Sequence, residues 1–408
     1  MTKLMQYFIN DTNFSRHPTA STADFRRDAL EEARQFHRTI PGYQETPLVE
    51  LTRLADYLGL GSIFVKDESW RFGLNAFKAL GASFAMAKYV AGALGQPLST
   101  LPFPVMIGDE VKRRLPPVTF ATTTDGNHGR GVAWMARQLG QKAVIYMPRG
   151  SSRQRLEAIR REGAEASIVD MNYDEAVRMT AQRAAEDGWV VLQDTAWPGY
   201  EDVPRWIMQG YGTLLLEACD RLQRNMPTHV LVQAGVGAFA GMVQGVFTEI
   251  WGEKAPRVIV VESDQADCLH RSAKRQSGDA VTVGGKLQTI MAGLACGEAN
   301  QLGWGMLRDY SHSFLACPDY VAAHGMRLLG HPLAGDKPII SGESGAVTAG
   351  ALALIMRSPD LAELREQLGL NDRARVLLIS TEGDTDPAHY LDVVWGGKEP
   401  SFALMPHA

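Results

Sequence analysis

Apolar and polar positions alternate along the chain between two periods. Residues 118–122 (VTFAT) have the β-rich character of a strand, and a Gly-containing turn then leads into a helix over about 129–138. The pattern continues with a strand at 143–147, a helix at 151–161 that stops at Gly163, a strand at 166–169, a helix at 174–186 and a strand at 189–193. That order implies a small parallel sheet. A second set lies on either side of it in sequence. Its strands are 63–66, 229–233, 258–261 and 376–379, and its helices are 76–90, 239–250 and 346–356. Residues 23–38 carry Phe25, Leu30, Ala33 and Phe36 with amphipathic spacing, which predicts a helix packing between lobes or between subunits. Residues 95–117 are rich in Pro and turn formers and predict a connecting loop. The expected fold is α/β with two lobes, and no internal repeat is visible.

Composition narrows the function classes. The 408 residues are 45% hydrophobic and 21% charged, the profile of a globular enzyme rather than a disordered chain. Net charge is −5 and no basic block stands out, so no nucleic-acid partner is expected. The longest stretch free of Asp, Glu, Lys and Arg, residues 226–248, would suit a membrane helix in length. It holds Gln233, Gln244 and four glycines and divides into strand, Gly loop and helix, so no membrane partner is expected either. The four cysteines form no CxxC pair, which leaves zinc without support and suits reduced thiols in the cytoplasm. No targeting segment is read at the N-terminus. Glycine is the outlier: 40 residues is about a tenth of the chain, against roughly 7% in average usage, and predicts many turns and close backbone approaches.

Two local features carry chemistry. Gly235, Gly237 and Ala240 follow a strand, open a helix and fit G-x-G-x-x-A, with Glu262 ending the next strand. A Gly turn at a helix N-terminus presents bare N–H groups to any phosphate, so the motif reads as a phosphate cradle and leaves a dinucleotide-dependent dehydrogenase open. Lys78 lies at a predicted helix start among Phe77, Leu80 and Phe84, with Asn75 as the expected cap. The positive helix end and apolar surroundings disfavour the ammonium form, and a neutral amine is what condensation with an aldehyde requires. The alternative is a surface lysine with its stem on apolar neighbours.

With these in place, the chain resembles the fold-type II pyridoxal-phosphate enzymes, the superfamily of tryptophan synthase β and threonine dehydratase. The resemblance rests on PGYQETPL at 41–48, VKDES at 65–69, the segment around Lys78, TDGNHG at 124–129 and ISTEGD at 379–384. It covers nearly the whole chain in order. It implies two lobes, each a mainly parallel twisted sheet flanked by helices: a large cofactor-binding domain of residues 1–84 and 198–408, and a small α/β domain of residues 85–197. It also implies that Lys78 holds pyridoxal 5'-phosphate covalently and that Asn127 bonds its phenolic oxygen. Gly235, Val236, Gly237 and Ala238 would cradle its phosphate. Ser380, with Thr381 as the neighbouring alternative, would face its ring nitrogen. Thr124, Asp125 and Gly126 would bind the substrate carboxylate loop-wise. The cradle has two glycines where many relatives have a run.

Two acidic residues narrow the choice of family. Asp125 stands where hydroxyamino-acid dehydratases usually carry a small residue, and Asp194 ends a predicted strand. Carboxylates beside the cofactor suit a substrate with a second, cationic amine. In this the chain resembles the diaminopropionate ammonia-lyases, which convert D- and L-2,3-diaminopropionate to pyruvate and ammonia. On that resemblance Lys78, Asp125 and Asp194 are the catalytic residues, Asp194 also binds substrate, no metal ligand is assigned and the chain forms a homodimer. Asp125 as a helix cap and Asp194 as a turn former are the structural alternatives. A serine or threonine dehydratase of the same fold, the dehydrogenase and a catalytically silent cofactor-binding protein are the functional ones.

Overall fold

The computed structural model describes residues 4–10 and 18–401. Its strands in chain order are β1 (Gln6–Ile9), β2 (Leu48–Glu50), β3 (Ser62–Asp67), β4 (Thr119–Thr123), β5 (Lys142–Met147), β6 (Glu165–Ile168), β7 (Val190–Val191), β8 (His229–Gln233), β9 (Arg257–Ser263), β10 (Ser313–Cys317) and β11 (Arg375–Ser380). They form two sheets. The smaller has the order β6-β5-β4-β7 and is wholly parallel. The larger has the order β1-β10-β9-β8-β11-β3-β2, with five parallel central strands and antiparallel strands at both edges. The central strands read as unbroken apolar runs because helices cover both faces. One core cluster lies under the helices Ala79–Leu94, Asn127–Leu139, Asp202–Leu222 and Ala238–Trp251; the other lies on the opposite face of the larger sheet, under Asp319–Gly330 and Glu343–Arg357. The α/β expectation of two mainly parallel sheets holds.

Three sequence expectations change. The strand expected at 189–193 shortens to Val190–Val191, because beyond Leu192 the Gln193 N–H leaves the ladder for the Tyr200 hydroxyl at 2.8 Å. The loop expected at 95–117 contains a 3-10 turn at Leu98–Thr100 and helices at Phe103–Met106 and Asp109–Arg114. Pro104 sits in a first helical turn, where a missing N–H costs little, and Asp109 and Glu110 open the last helix while Lys112, Arg113 and Arg114 close it, matching its dipole. The amphipathic segment packs within the chain. It kinks at Arg26 between Ala23–Phe25 and Arg27–Arg38, and Leu30 fills the space where a Cβ on Gly212 would lie 2.5 Å away.

Two helices that meet at the future site approach unusually closely. A Cβ on Gly210 would stand 2.6 Å from the Leu80 carbonyl oxygen, and one on Gly81 would stand 2.5 Å from the Tyr211 ring. Only glycine permits that spacing.

The segments 41–48 and 65–71 converge at the C-terminal end of β3, on a buried charge cluster. Lys66 Nζ donates to Glu217 Oε2 at 2.6 Å and to the Thr46 carbonyl at 2.9 Å. Arg71 forks onto Glu68 (2.9 and 2.8 Å) and Glu217 (2.9 and 2.8 Å). Tyr43 OH donates to Glu217 Oε1 at 2.7 Å. Burial pushes the Glu217 carboxyl up, but Arg71 and Lys66 outweigh it and hold it at about 2. The two cations and two carboxylates cancel within one fully buried knot, which ties the chain before the helix Ala79–Leu94 to the helix Asp202–Leu222.

Candidate active site

Parallel strands direct their C-terminal ends to a crevice. Here the ends of β4, β7, β8 and β11 surround a cleft. Lys78, Thr124, Asp125, Asn127, Asp194, Gly235, Val236, Gly237, Ala238 and Thr381 all line it. Gly126 and Ser380 are not among its lining residues.

Lys78 is itself the N-cap residue of the helix Ala79–Leu94. Asn75 is not the cap. It sits at φ +60° and its Nδ2 donates to Asp384 Oδ1 at 3.1 Å. The expected neutral amine is also corrected. Burial pulls the Lys78 ammonium down, but Asp194, then Tyr211 and Asp125, outweigh it and hold the ammonium above its usual value. The cause is geometric: Lys78 Nζ lies 2.5 Å from Asp194 Oδ2. Asp194 answers in kind, its burial overcome chiefly by Lys78 so that its carboxyl falls below the usual range. Tyr173 OH donates to Asp194 Oδ1 at 3.2 Å, and Asn300 Nδ2 fixes the Asp194 carbonyl at 3.1 Å.

The loop after β4 is shaped by Thr124, whose hydroxyl accepts the N–H groups of Gly126 (2.9 Å) and Gly129 (3.0 Å). The helix begins at Asn127, two residues earlier than its apolar periodicity predicts, because this hydroxyl stands in for an N-cap. Gly126 has φ +152° and faces the Arg155 stem, which a Cβ would meet at 2.8 Å. Arg155 Nη1 in turn lies 3.9 Å from Asp125 Oδ2, and its Nη2 donates to Glu343 Oε1 at 2.5 Å. His128 Nε2 bonds the Leu192 carbonyl at 2.6 Å, and burial lowers its basicity.

On the facing side, β8 runs into the Gly turn and the helix Ala238–Trp251. Gly237 has φ +91°, and a Cβ on Gly235 would lie 3.1 Å from the Gly293 carbonyl, so both glycines are required by the turn. Glu262 is spent elsewhere: it accepts the Leu269 and His270 N–H groups at 2.9 and 2.6 Å. A dinucleotide reading therefore loses its ribose partner. At the end of β11, Ser380 Oγ donates to Ser341 Oγ at 2.8 Å, away from the cleft, whereas Thr381 and Glu382 line it.

Three buried polar atoms of cleft-lining residues have no partner among the described residues: His128 Nδ1, Tyr211 OH and Gln233 Oε1. Orphans of this kind mark a place meant for a bound polar group. Phe77, Tyr211 and Phe239 supply an aromatic wall, with ring centroids 4.6 Å apart from Phe77 to each of the others. A lysine amine at the cleft, a helix-N-terminal glycine cradle, an aromatic wall and orphaned hydrogen-bonding atoms together fit a phosphorylated aromatic aldehyde. Tyr173, Tyr211, Arg155, Gln233, Asn300 and Glu382 were not assigned roles from sequence. Only Gln233 and Glu382 had a signal, as neighbours of the Gly turn and of Thr381.

Residues 39–382 match the family model described as "Pyridoxal-phosphate dependent enzyme". The chain is 53% identical over 395 residues to diaminopropionate ammonia-lyase of Escherichia coli (strain K12), covering 96% of each chain. It is 49% identical over 402 residues to the enzyme of that name from Salmonella typhimurium, covering 98% of this chain and 100% of the other. The crystal structure of the Escherichia coli enzyme in complex with an aminoacrylate-PLP azomethine reaction intermediate is similar with a TM-score of 0.89 at 50% identity, over 97% of this chain and 98% of that one. With the lysine, the carboxylates and the cradle already converging on one cleft, the chain belongs to the pyridoxal-phosphate-dependent enzymes and, within them, to the diaminopropionate ammonia-lyases.

Proposed function

We propose that the protein eliminates the 3-amino group of 2,3-diaminopropionate, as either isomer, and that one substrate and one water give pyruvate and two ammonia. Pyridoxal phosphate is the cofactor; when bound it supplies the carbonyl that condenses with the substrate's α-amine and the ring that accepts the electron pair left by the Cα proton. Gly235, Val236, Gly237 and Ala238 hold its phosphate, Asn127 its phenolic oxygen and Lys78 its carbonyl carbon. Thr124 binds the substrate carboxylate, and Gly126, whose N–H is held by the Thr124 hydroxyl, shapes that loop without lining the cleft.

The observation that carries this reading is the 2.5 Å contact between Lys78 Nζ and Asp194 Oδ2 in a cleft that also holds Asp125. Lys78 Nζ must shed the proton that Asp194 stabilises on it before it acts as a nucleophile or base. As a free amine it removes the Cα proton of the L isomer. Asp125, on the loop after β4, removes the Cα proton of the D isomer. Asp194 meets the distal amine in its cationic form, from which it leaves as ammonia. A second cationic amine is the partner these carboxylates suit, and an uncharged serine side chain is not. The same reading takes the active form as a cytoplasmic homodimer, with residues 85–197 as the small lobe. Among the described residues no helix is long and apolar enough to cross a membrane.

The test measures pyruvate and ammonia from D- and L-diaminopropionate and from D- and L-serine. Two ammonia per pyruvate, with diaminopropionate the better substrate by kcat/KM, is expected. Faster turnover of serine would move the protein to the dehydratases.

A further inference from the structure

Glu382 is a buried carboxyl in the cleft for which the mechanism above has no use. Its two oxygens are held differently. Oε1 accepts the Gly345 N–H at 2.9 Å, at the first turn of the helix Glu343–Arg357. Oε2 lies 3.1 Å from Thr381 Oγ1. Thr381 Oγ1 also accepts from Gln233 Nε2 at 2.8 Å. The Gln233 amide cannot be turned over, because the same Nε2 donates to the Ile379 carbonyl at 2.9 Å.

A threonine hydroxyl has one hydrogen and two lone pairs. Gln233 fills one lone pair. Thr381 is thus left with one hydrogen and one lone pair for two neighbours, Glu382 and whatever occupies the cleft. An ionised Glu382 only accepts, so it takes the Thr381 hydrogen. A protonated Glu382 donates from Oε2 into the second lone pair, and the Thr381 hydrogen then turns to the cleft.

We propose that Glu382 is a positioning residue that sets, through its own proton, whether the Thr381 hydroxyl donates to the cofactor's ring nitrogen. This rests on the pyridoxal-phosphate reading of the cleft and assigns the nitrogen-facing hydroxyl to Thr381 and not to Ser380, whose hydrogen is committed to Ser341. No net chemistry is involved: one proton enters or leaves Glu382 and one hydroxyl rotates. The charged groups facing Glu382 are Glu343 and Asp125, which favour the protonated form, and Arg155, which opposes it. Burial is the first cause, and the carboxyl is pushed up to about 7. The hydroxyl therefore faces the cleft in the acid half of the neutral range. A ring nitrogen that receives a hydrogen bond without being protonated is a weaker electron sink, which suits elimination.

The holoenzyme is loaded with pyridoxal phosphate labelled with nitrogen-15 in the ring, and the nitrogen shift is followed by NMR from pH 6 to 9. The wild type is expected to move from a hydrogen-bonded to an unbonded pyridine position as pH rises. Glu382→Gln keeps its oxygen on the Gly345 N–H and so presents its amide N–H₂ to Thr381; it is expected to stay at the low-pH position throughout. Thr381→Val is expected to stay at the high-pH position throughout. Glu382→Asp, as the conservative variant, is expected to regain a pH-dependent shift with a displaced midpoint. An unchanged midpoint in Glu382→Gln, or a pH-independent wild type, overturns the assignment. The parent reading is tested separately by mass spectrometry after borohydride reduction. Loss of the covalent cofactor adduct in Lys78→Ala upholds it, and an adduct retained in Lys78→Ala overturns both.

Discussion

Around Glu217, each cation meets two carboxylates and each carboxylate two cations, and Tyr43, Thr46 and Gln44 take up further hydrogen-bonding capacity. Around Lys78 the same residue types are arranged differently. Lys78 pairs with Asp194 alone, Arg155 pairs with Glu343, Asp125 stands 3.9 Å from Arg155, and three neighbouring polar atoms have no partner among the described residues. The Glu217 cluster is fully buried, whereas Lys78 and Asp125 keep 19% and 15% of their side chains exposed, but this difference alone does not set their roles. Completeness does. A charge knot whose members satisfy one another holds the fold in place, whereas an incomplete one keeps capacity for a ligand. A residue in the first should therefore be felt as stability and one in the second as activity.

The largest effect expected is in the cleft. Lys78→Ala should lower pyruvate release from either isomer by about 10³-fold or more, the scale of a lost nucleophile and base. Turnover within tenfold of wild type would end the distinction. Next, Glu217→Gln leaves Lys66 and Arg71 short of a buried counter-charge and should cost about 3–5 kcal/mol in denaturant unfolding. The pH dependence has a definite sign. Glu217 is depressed from its ordinary 4.5 to about 2, so its contribution is present above pH 4.5 and is lost as pH falls towards 2. Acid-unfolding curves of wild type and Glu217→Gln should converge in that window, and parallel curves would argue against the pairing. Asp125→Asn should then cost about 10²-fold in kcat/KM for the D isomer and under tenfold for the L isomer. Its melting temperature should be equal to or above wild type, as active-site carboxylates are commonly kept at some cost to stability. Equal loss on both isomers would dissolve the two-base assignment. Smallest is Tyr43→Phe, which removes one hydrogen bond to a carboxylate and should cost about 1.5 kcal/mol with kcat unchanged.

What could be read from sequence follows how local each signal is. The parallel strands were legible because residues such as VIVV before Glu262 are apolar without a break, and the Gly turn after β8 because its residues are consecutive. Lys78, Asp125, Asn127 and Asp194 sit in short motifs or at strand ends, where order along the chain nearly fixes position in space. Tyr211 and Tyr173 reach the cleft from helices, as Arg155 reaches Asp125, and helical periodicity tells only that a position is buried, not what it meets. Ser380 and Thr381 differ by one residue, and one step along extended backbone reverses the face a side chain presents. The protonation of Lys78 is not legible locally, because dipole and desolvation are local while its counter-ion, Asp194, lies 116 residues away in sequence. The helices within 95–117 were hidden by prolines that happen to occupy permitted first-turn positions.

The glycine contact between the helices Ala79–Leu94 and Asp202–Leu222 has a bearing on redesign. Gly81 lies three residues beyond Lys78, and Gly210 immediately precedes Tyr211, so the lysine and the phenol over it share one rigid hinge-pin with no slack for even a methyl group. That wall of the cleft cannot be retuned by graded enlargement or rotation. New substrates would have to be accommodated by variation elsewhere, at the loop carrying Asp125 and the Arg155–Glu343 pair beside it. The molecule is thus divided for an engineer, as for mutation, into a fixed anvil and an adjustable jaw.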